Sequence, residues 1–186
     1  KSQRKQAREE SSHDWDKIFT IFNQVRDELK EHMPYRVVDV YGAEADDIIS
    51  YVCNSQHYDG WQKVIVSNDK DFLQLCDDET VVYRPTTDKI ETKKTVIESL
   101  GIHPTNMALA RAMDGDASDN LPGVNRVGMK TIATKLPFMK EERSVTIDEL
   151  IEYCETKESK LKVFKTIAES RKLIEHNYDM MQLYSP

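Results

Sequence analysis

The feature that most constrains the fold is a change of hydrophobic period part-way along the chain. Up to about residue 100, helix-period stretches alternate with short β-branched runs; from about residue 102 only the helical period persists. Ile18, Ile21, Phe22, Val25 and Leu29 lie at i, i+3, i+4, i+7 and i+11, one apolar stripe on a helix over 14–30. Met33-Pro34 ends it. YRVVDVYG (35–42) has the β-branched content of a strand closed by Gly42, and WQKVIVS (61–67) has the apolar run of a buried parallel strand. A helix is predicted between them at 45–57. NDKD (68–71) is a polar turn into a short helix at DFLQL; ETVVYRP (79–85) is another strand, TTDK a turn and 92–100 a helix. This alternation predicts an α/β part with a mainly parallel sheet over residues 1–101. Residues 102–186 are predicted to be a helical part, with helices at 104–113, 129–136, 146–155, 158–169 and 171–184. The first two of these are joined by the Gly-, Asp- and Asn-rich DGDASDNLPGVNRVG.

Composition removes several classes of function. The 186 residues are 39% apolar, enough for a core, and contain no apolar run long enough to cross a membrane. A basic leader followed by an apolar stretch is also missing, so a cytoplasmic location without membrane contact is expected. Cys53, Cys76 and Cys154 form no CxxC pair and no zinc spacing, as in a reduced compartment. Neither a GxxxxGK[ST] phosphate loop nor a GxSxG elbow is present, which argues against ATP use and acyl transfer. The five histidines are scattered and read as surface or packing residues. The net charge of −7 would ordinarily argue against nucleic acid, but where the acids sit matters more than their sum.

They sit in three clusters. Glu44, Asp46 and Asp47 follow a predicted strand and open a helix; Asp69 and Asp71 do the same; Asp114, Asp116 and Asp119 lie in the turn between helices. Any one cluster is explained by free N–H groups and the dipole at a helix start. Together they ask for more, because the carboxyl ends of parallel strands line one edge of a sheet. If the two strands are neighbours, five carboxylates converge and repel, and a divalent cation relieves them. Oxygen ligands without paired His or Cys suit Mg²⁺ or Mn²⁺. Two such ions about 4 Å apart can activate water and stabilise the leaving oxygen of a phosphodiester.

A second signal is basic. In LPGVNRVGMKTIATKL, Gly123 and Gly128 bracket a tight turn and Lys130 and Thr131 open a helix, a seat for backbone phosphates of duplex DNA. Lys1, Arg4, Lys5 and Arg8 repeat at helical spacing and form one basic face, either a solvated helix end or a phosphate contact.

YGAEADDIIS, VIVSNDKDFLQL and MDGDASDNLPGVNRVGMKTIATKL resemble, in order and spacing, the 5′-nuclease family of flap endonucleases and polymerase-linked 5′→3′ exonucleases. KSQRKQAREESSHDW and DELKEHMPYRVVDV are similar to the branch represented by the ribonuclease H of T-even phages. The resemblance implies a PIN-like α/β fold followed by a helix–three-turn–helix DNA-binding element. It implies two-metal hydrolysis near a 5′ end, acting on RNA–DNA hybrids, nicked duplexes and 5′ flaps during lagging-strand maturation, by a monomer that meets a single-strand-binding protein or sliding clamp. By motif position, Glu44, Asp46, Asp47, Asp69 and Asp71 would serve the first metal, and Asp116 and Asp119 the second, with Asp114 outside the usual positions. Gly123, Val124, Arg126, Gly128, Lys130 and Thr131 would form the DNA-gripping hairpin, and Lys1, Arg4, Lys5 and Arg8 would lie on the descending side of a helical arch.

The departures are specific. The family's first strand and its Asp, a further Asp before the arch, and the front of the arch have no counterpart, and the first residue is not Met. An N-terminally truncated piece of a longer nuclease is therefore expected, short of some metal ligands. Arg126 stands where the family prefers glycine, which bears on the potassium site expected at that hairpin. Two other readings stay open: a DNA-binding module that has lost its chemistry, and a PIN-type ribonuclease acting on structured RNA.

Overall fold

The computed structural model describes residues 13–157 and 161–183. The chain divides into two compact units, Lys1–Gly42 and Ala43–Pro186.

In the first unit, helix α1 (Trp15–His32) starts where the Asp14 carboxylate accepts the Lys17 N–H at 3.1 Å. The predicted apolar stripe is present, but none of the helix is buried, and Phe22 is 68% exposed. The strand predicted over 35–42 does not form. β propensity is realised only when a neighbouring strand takes up the backbone groups. Among the described residues none pairs with this segment, and the Tyr35 N–H donates to the Met33 carbonyl instead.

The second unit opens with α2 (Ala45–Asn54), capped reciprocally by Glu44 and Asp47. Its sheet has three strands in the order β1 (Lys63–Val66), β2 (Thr80–Arg84) and β3 (Lys89–Glu91). β1 pairs parallel with β2, Lys63 opposite Thr80, and β2 pairs antiparallel with β3, Val82 opposite Glu91. The sheet is therefore small and mixed rather than mainly parallel. A 3₁₀ turn (Asp71–Leu75) leads from β1 towards β2, and the turn after Arg84 carries Asp88 at φ +50°. β1 is not buried on both faces as its apolar run suggested: Ile65 is buried while Val64 and Val66 are exposed.

The helices follow: α3 (Lys93–Leu100), α4 (Met107–Asp114), α5 (Met129–Lys135), α6 (Ile147–Thr156), α7 (Lys162–Glu169) and α8 (Arg171–Met181). α4 packs on α8, and α6 on α7. Every α4 residue from Met107 to Met113 is buried. One core joins Val82 and Val96 of the α/β part to Leu109, Ile132, Leu150 and Ile174 of the helical part. Two buried asparagines tie the layers: Asn106 Nδ2 donates to the Met139 and Glu141 carbonyls while its Oδ1 accepts the Val145 N–H, and Asn177 Nδ2 donates to the Ala112 and Pro122 carbonyls. The three cysteines are buried and free.

Candidate functional site

The end of β1 leads into the second acidic cluster. Asp69 turns the chain locally, its own N–H donating to Ser67 Oγ and its carboxylate accepting the Asp71 N–H at 2.9 Å. The end of α4 leads into the third. Gly115 closes the helix at φ +82°, and Asp116 and Leu121 then exchange backbone hydrogen bonds at 2.8 Å. The loop is packed tightly: a Cβ on Gly123 would stand 2.0 Å from the Asp114 carbonyl oxygen. Asn177 holds the Pro122 carbonyl, fixing the far side of this loop to α8.

Arg111 joins the two clusters. From buried α4 its Nε lies 2.5 Å from Asp71 Oδ1, and its Nη2 donates to Asp116 Oδ2 at 2.5 Å. The Asp71 approach is an ion contact without hydrogen-bond alignment, since both atoms are buried and neither has a hydrogen-bond partner. Asp116 Oδ1 accepts the Ser118 N–H and hydroxyl. Those Ser118 bonds, with Arg111, hold the Asp116 pKa down at about 2. Burial pushes Asp71 up to about 6; Arg111 opposes this, and Asp69, Asp116 and Asp119 add repulsion. A polar cavity of about 420 Å³ lies here, lined by Asn68, Asp69, Lys70, Arg111 and residues 114–118.

The structure thus brings Asp69, Asp71, Asp116 and Asp119 into one electrostatic neighbourhood. Glu44 and Asp47 form the capping box of α2, with Asp46 half-buried in its first turn. Among the described residues no three of His, Cys, Asp and Glu stand close enough together to hold a metal ion. The donor chemistry nevertheless fits a hard cation: carboxylate oxygens only, with Asp71 Oδ1 buried and lacking a donor.

Asp114 has a structural task, its carboxylate accepting the Met129 N–H at the start of α5 at 3.2 Å. The first amide of α5 thus has a partner within the chain. Val124 is buried and anchors the hairpin through its N–H to the Met113 carbonyl, and Gly128 caps α5, its carbonyl accepting the Thr131 and Ile132 N–H groups. Arg126 and Lys130 are exposed, Thr131 half-buried. Arg126 sits at φ +61°, the left-handed backbone that glycine favours. Lys1, Arg4, Lys5 and Arg8 lie outside the described residues.

Arg111 and Ser118 were missed from the sequence. A signal for Arg111 existed: it is the lone cation in an otherwise apolar helical run, five residues before Asp116. Ser118 had only its place within the acidic loop.

A small mixed sheet among many helices, with Asp69 and Asp71 after the end of β1, matches a PIN-like nuclease fold. The chain belongs to the 5′-3′ exonuclease N-terminal resolvase-like domain family, whose model matches residues 1–101. It is 41% identical over 108 residues to DNA polymerase I of Streptococcus pneumoniae, covering 56% of this chain and 12% of the polymerase. It is 38% identical over 95 residues to a 5′-3′ exonuclease of Aquifex aeolicus, covering 51% of this chain and 33% of that protein. The chain therefore spans a third or less of these two relatives. Among solved structures, a bacteriophage T5 protein co-crystallised with metal ions superposes with a TM-score of 0.75 at 20% identity, covering 98% of this chain and 67% of that one. The T5 flap endonuclease in a complex with DNA and metal ions gives 0.72 at 18% identity, covering 98% and 66%.

Proposed function

We propose that this protein is a structure-specific 5′→3′ exonuclease and 5′-flap endonuclease that hydrolyses phosphodiesters with the help of divalent cations. The observation that carries the reading is a polar cavity lined by Asp69, Arg111 and Asp116, with Asp71 ion-paired to that same Arg111, next to a loop that leads into the Arg126–Lys130 hairpin. Family membership supports the reading, as do the metal ions and DNA named for the T5 structures. Asp69, Asp71, Asp116 and Asp119, with Glu44, Asp46 and Asp47, are the residues that would hold the cations. When bound, a pair of such ions supplies an activated water and charge neutralisation at the leaving oxygen.

The rest falls to side chains of the chain itself. Ser118 keeps Asp116 ionised. Asp114 holds the first turn of α5 in register with the acidic loop. Arg126 and Lys130, both exposed, are placed to take backbone phosphates without reading bases. The finer parts of the proposal are Mg²⁺ or Mn²⁺ as the ion, K⁺ at the hairpin, a helix–three-turn–helix grip, and RNase H activity on primers annealed to DNA.

Cleavage of a 5′-flap DNA and of an RNA–DNA hybrid, followed with and without Mg²⁺, tests the reading. Mg²⁺-dependent release of flap or nucleotides is expected, falling to background after Asp69→Asn together with Asp71→Asn. Undiminished cleavage by the double variant would sink the proposal. Free single-stranded RNA cut as fast as the hybrid would favour a PIN-type ribonuclease instead.

A further inference from the structure

Arg111 is 93% buried by its 7% exposure, and it is the one charged side chain between Met107 and Met113. Burying a cation is costly unless opposite charges are held against it. Its two partners are held differently. Asp116 is locked: Oδ1 is fixed by the Ser118 N–H and hydroxyl, and Oδ2 receives Arg111 Nη2. Asp71 is not: its Oδ1 meets Arg111 Nε by charge alone, and both atoms are buried without a hydrogen-bond partner. The guanidinium also lines the cavity with Asn68, Asp69 and Asp114, so it has open space on one side.

A guanidinium is suited to forking two carboxylates with N–H donors aligned to both. Here one contact is aligned and the other is not. The pair of acids therefore faces a common point that the guanidinium fills by charge but satisfies only on the Asp116 side. A small hard cation at that point would take oxygens from both sides. We infer that Arg111 and a divalent cation are alternative occupants of the space between Asp71 and Asp116, so that binding the ion displaces the guanidinium towards the cavity. The inference rests on the proposed metal-dependent reading of the site. Arg111 is in this sense a positioning residue. It keeps two like charges together when no ion is bound, and it sets the ion concentration at which they change partner.

Mn²⁺ binding to the 186-residue protein, measured by the loss of the free-ion electron paramagnetic resonance signal at fixed pH and salt, tests this. Arg111→Gln is expected to bind Mn²⁺ at least about tenfold more tightly than the parent, because no charged hydrogen bond has to be broken first. Its melting temperature should fall in EDTA and recover when Mn²⁺ is added. A purely structural Arg111 would lower the melting temperature equally in both conditions and leave Mn²⁺ affinity unchanged. Equal or weaker binding by Arg111→Gln, with binding still abolished by Asp71→Asn, overturns the exchange and leaves the metal reading standing. Binding by none of the proteins overturns both. Should Arg111→Gln fail to fold, Arg111→Lys carries the same test. A single ammonium cannot fork both acids, so tighter Mn²⁺ binding is expected, and unchanged affinity counts against the exchange.

Discussion

His103 is buried at the start of the helical part, where its Nδ1 accepts the Thr105 N–H at 3.3 Å, leaving the proton on Nε2. That nitrogen has no hydrogen-bond partner and lies 4.0 Å from Glu142. Burial lowers the imidazole pKa below 6.5; Glu142 opposes the shift and Lys93, itself ion-paired to Asp78 and Glu142, reinforces it. Because the unfolded chain takes up the proton first, the stability linked to His103 is complete above 6.5 and is lost as pH falls through the folded value. His103→Asn keeps an acceptor for the Thr105 N–H and removes the titration. Urea unfolding at about pH 7 and about pH 5 should show a smaller acid-side loss in the variant than in the parent; equal losses would rule the linkage out. Arg126 poses a different question at the same scale. Its left-handed backbone costs an L-residue about 1–2 kcal/mol, part of which glycine would give back through greater freedom when unfolded. Arg126→Gly is expected to stabilise the fold by up to about 1 kcal/mol while weakening DNA binding. A drop in melting temperature would mean that the arginine side chain contributes more to the fold than its backbone costs.

At the scale of elements, α8 matters for where it holds other segments. Asn177 Nδ2 bonds two carbonyls, Ala112 near the end of α4 and Pro122 beyond the acidic loop. Asn177→Ala leaves both without this donor and should cost about 2–4 kcal/mol. Its effect on cleavage should be larger than that of a similarly destabilising change in α7, since it loosens the loop that carries Asp116. A cost below about 0.5 kcal/mol in denaturant unfolding would refute the assignment. Elements with strong periodic signals were legible from sequence: α1, α4, α6 and α8 all lie where the apolar spacing put them. Two strand readings were not legible. β3 is three residues long, too short for alternation to show, and follows a turn that was itself recognised. The 35–42 segment has the right residues for a strand, but pairing is a property of two segments, and sequence composition describes only one.

Across the whole molecule, acids outnumber basic residues by 33 to 26. Glu44, Asp46, Asp47, Asp69, Asp71, Asp116 and Asp119 together equal the formal excess of −7. The sequence marks these acids as candidates by their clustering, and only Asp69 and Asp71 follow a strand in the structure. That Asp71 and Asp116 share a buried arginine could not, because the two lie far apart in sequence and Arg111 advertises itself only by standing alone among apolar neighbours. The continuity of the core across residue 101 has its own consequence. The family model ends at that residue, yet Val82 and Val96 on one side are packed in the same cluster as Ile132 and Ile174 on the other. The matched region and the helices after it are therefore not interchangeable cassettes. A recombination joining residues 1–101 to a foreign helical partner would inherit only half of that packing interface.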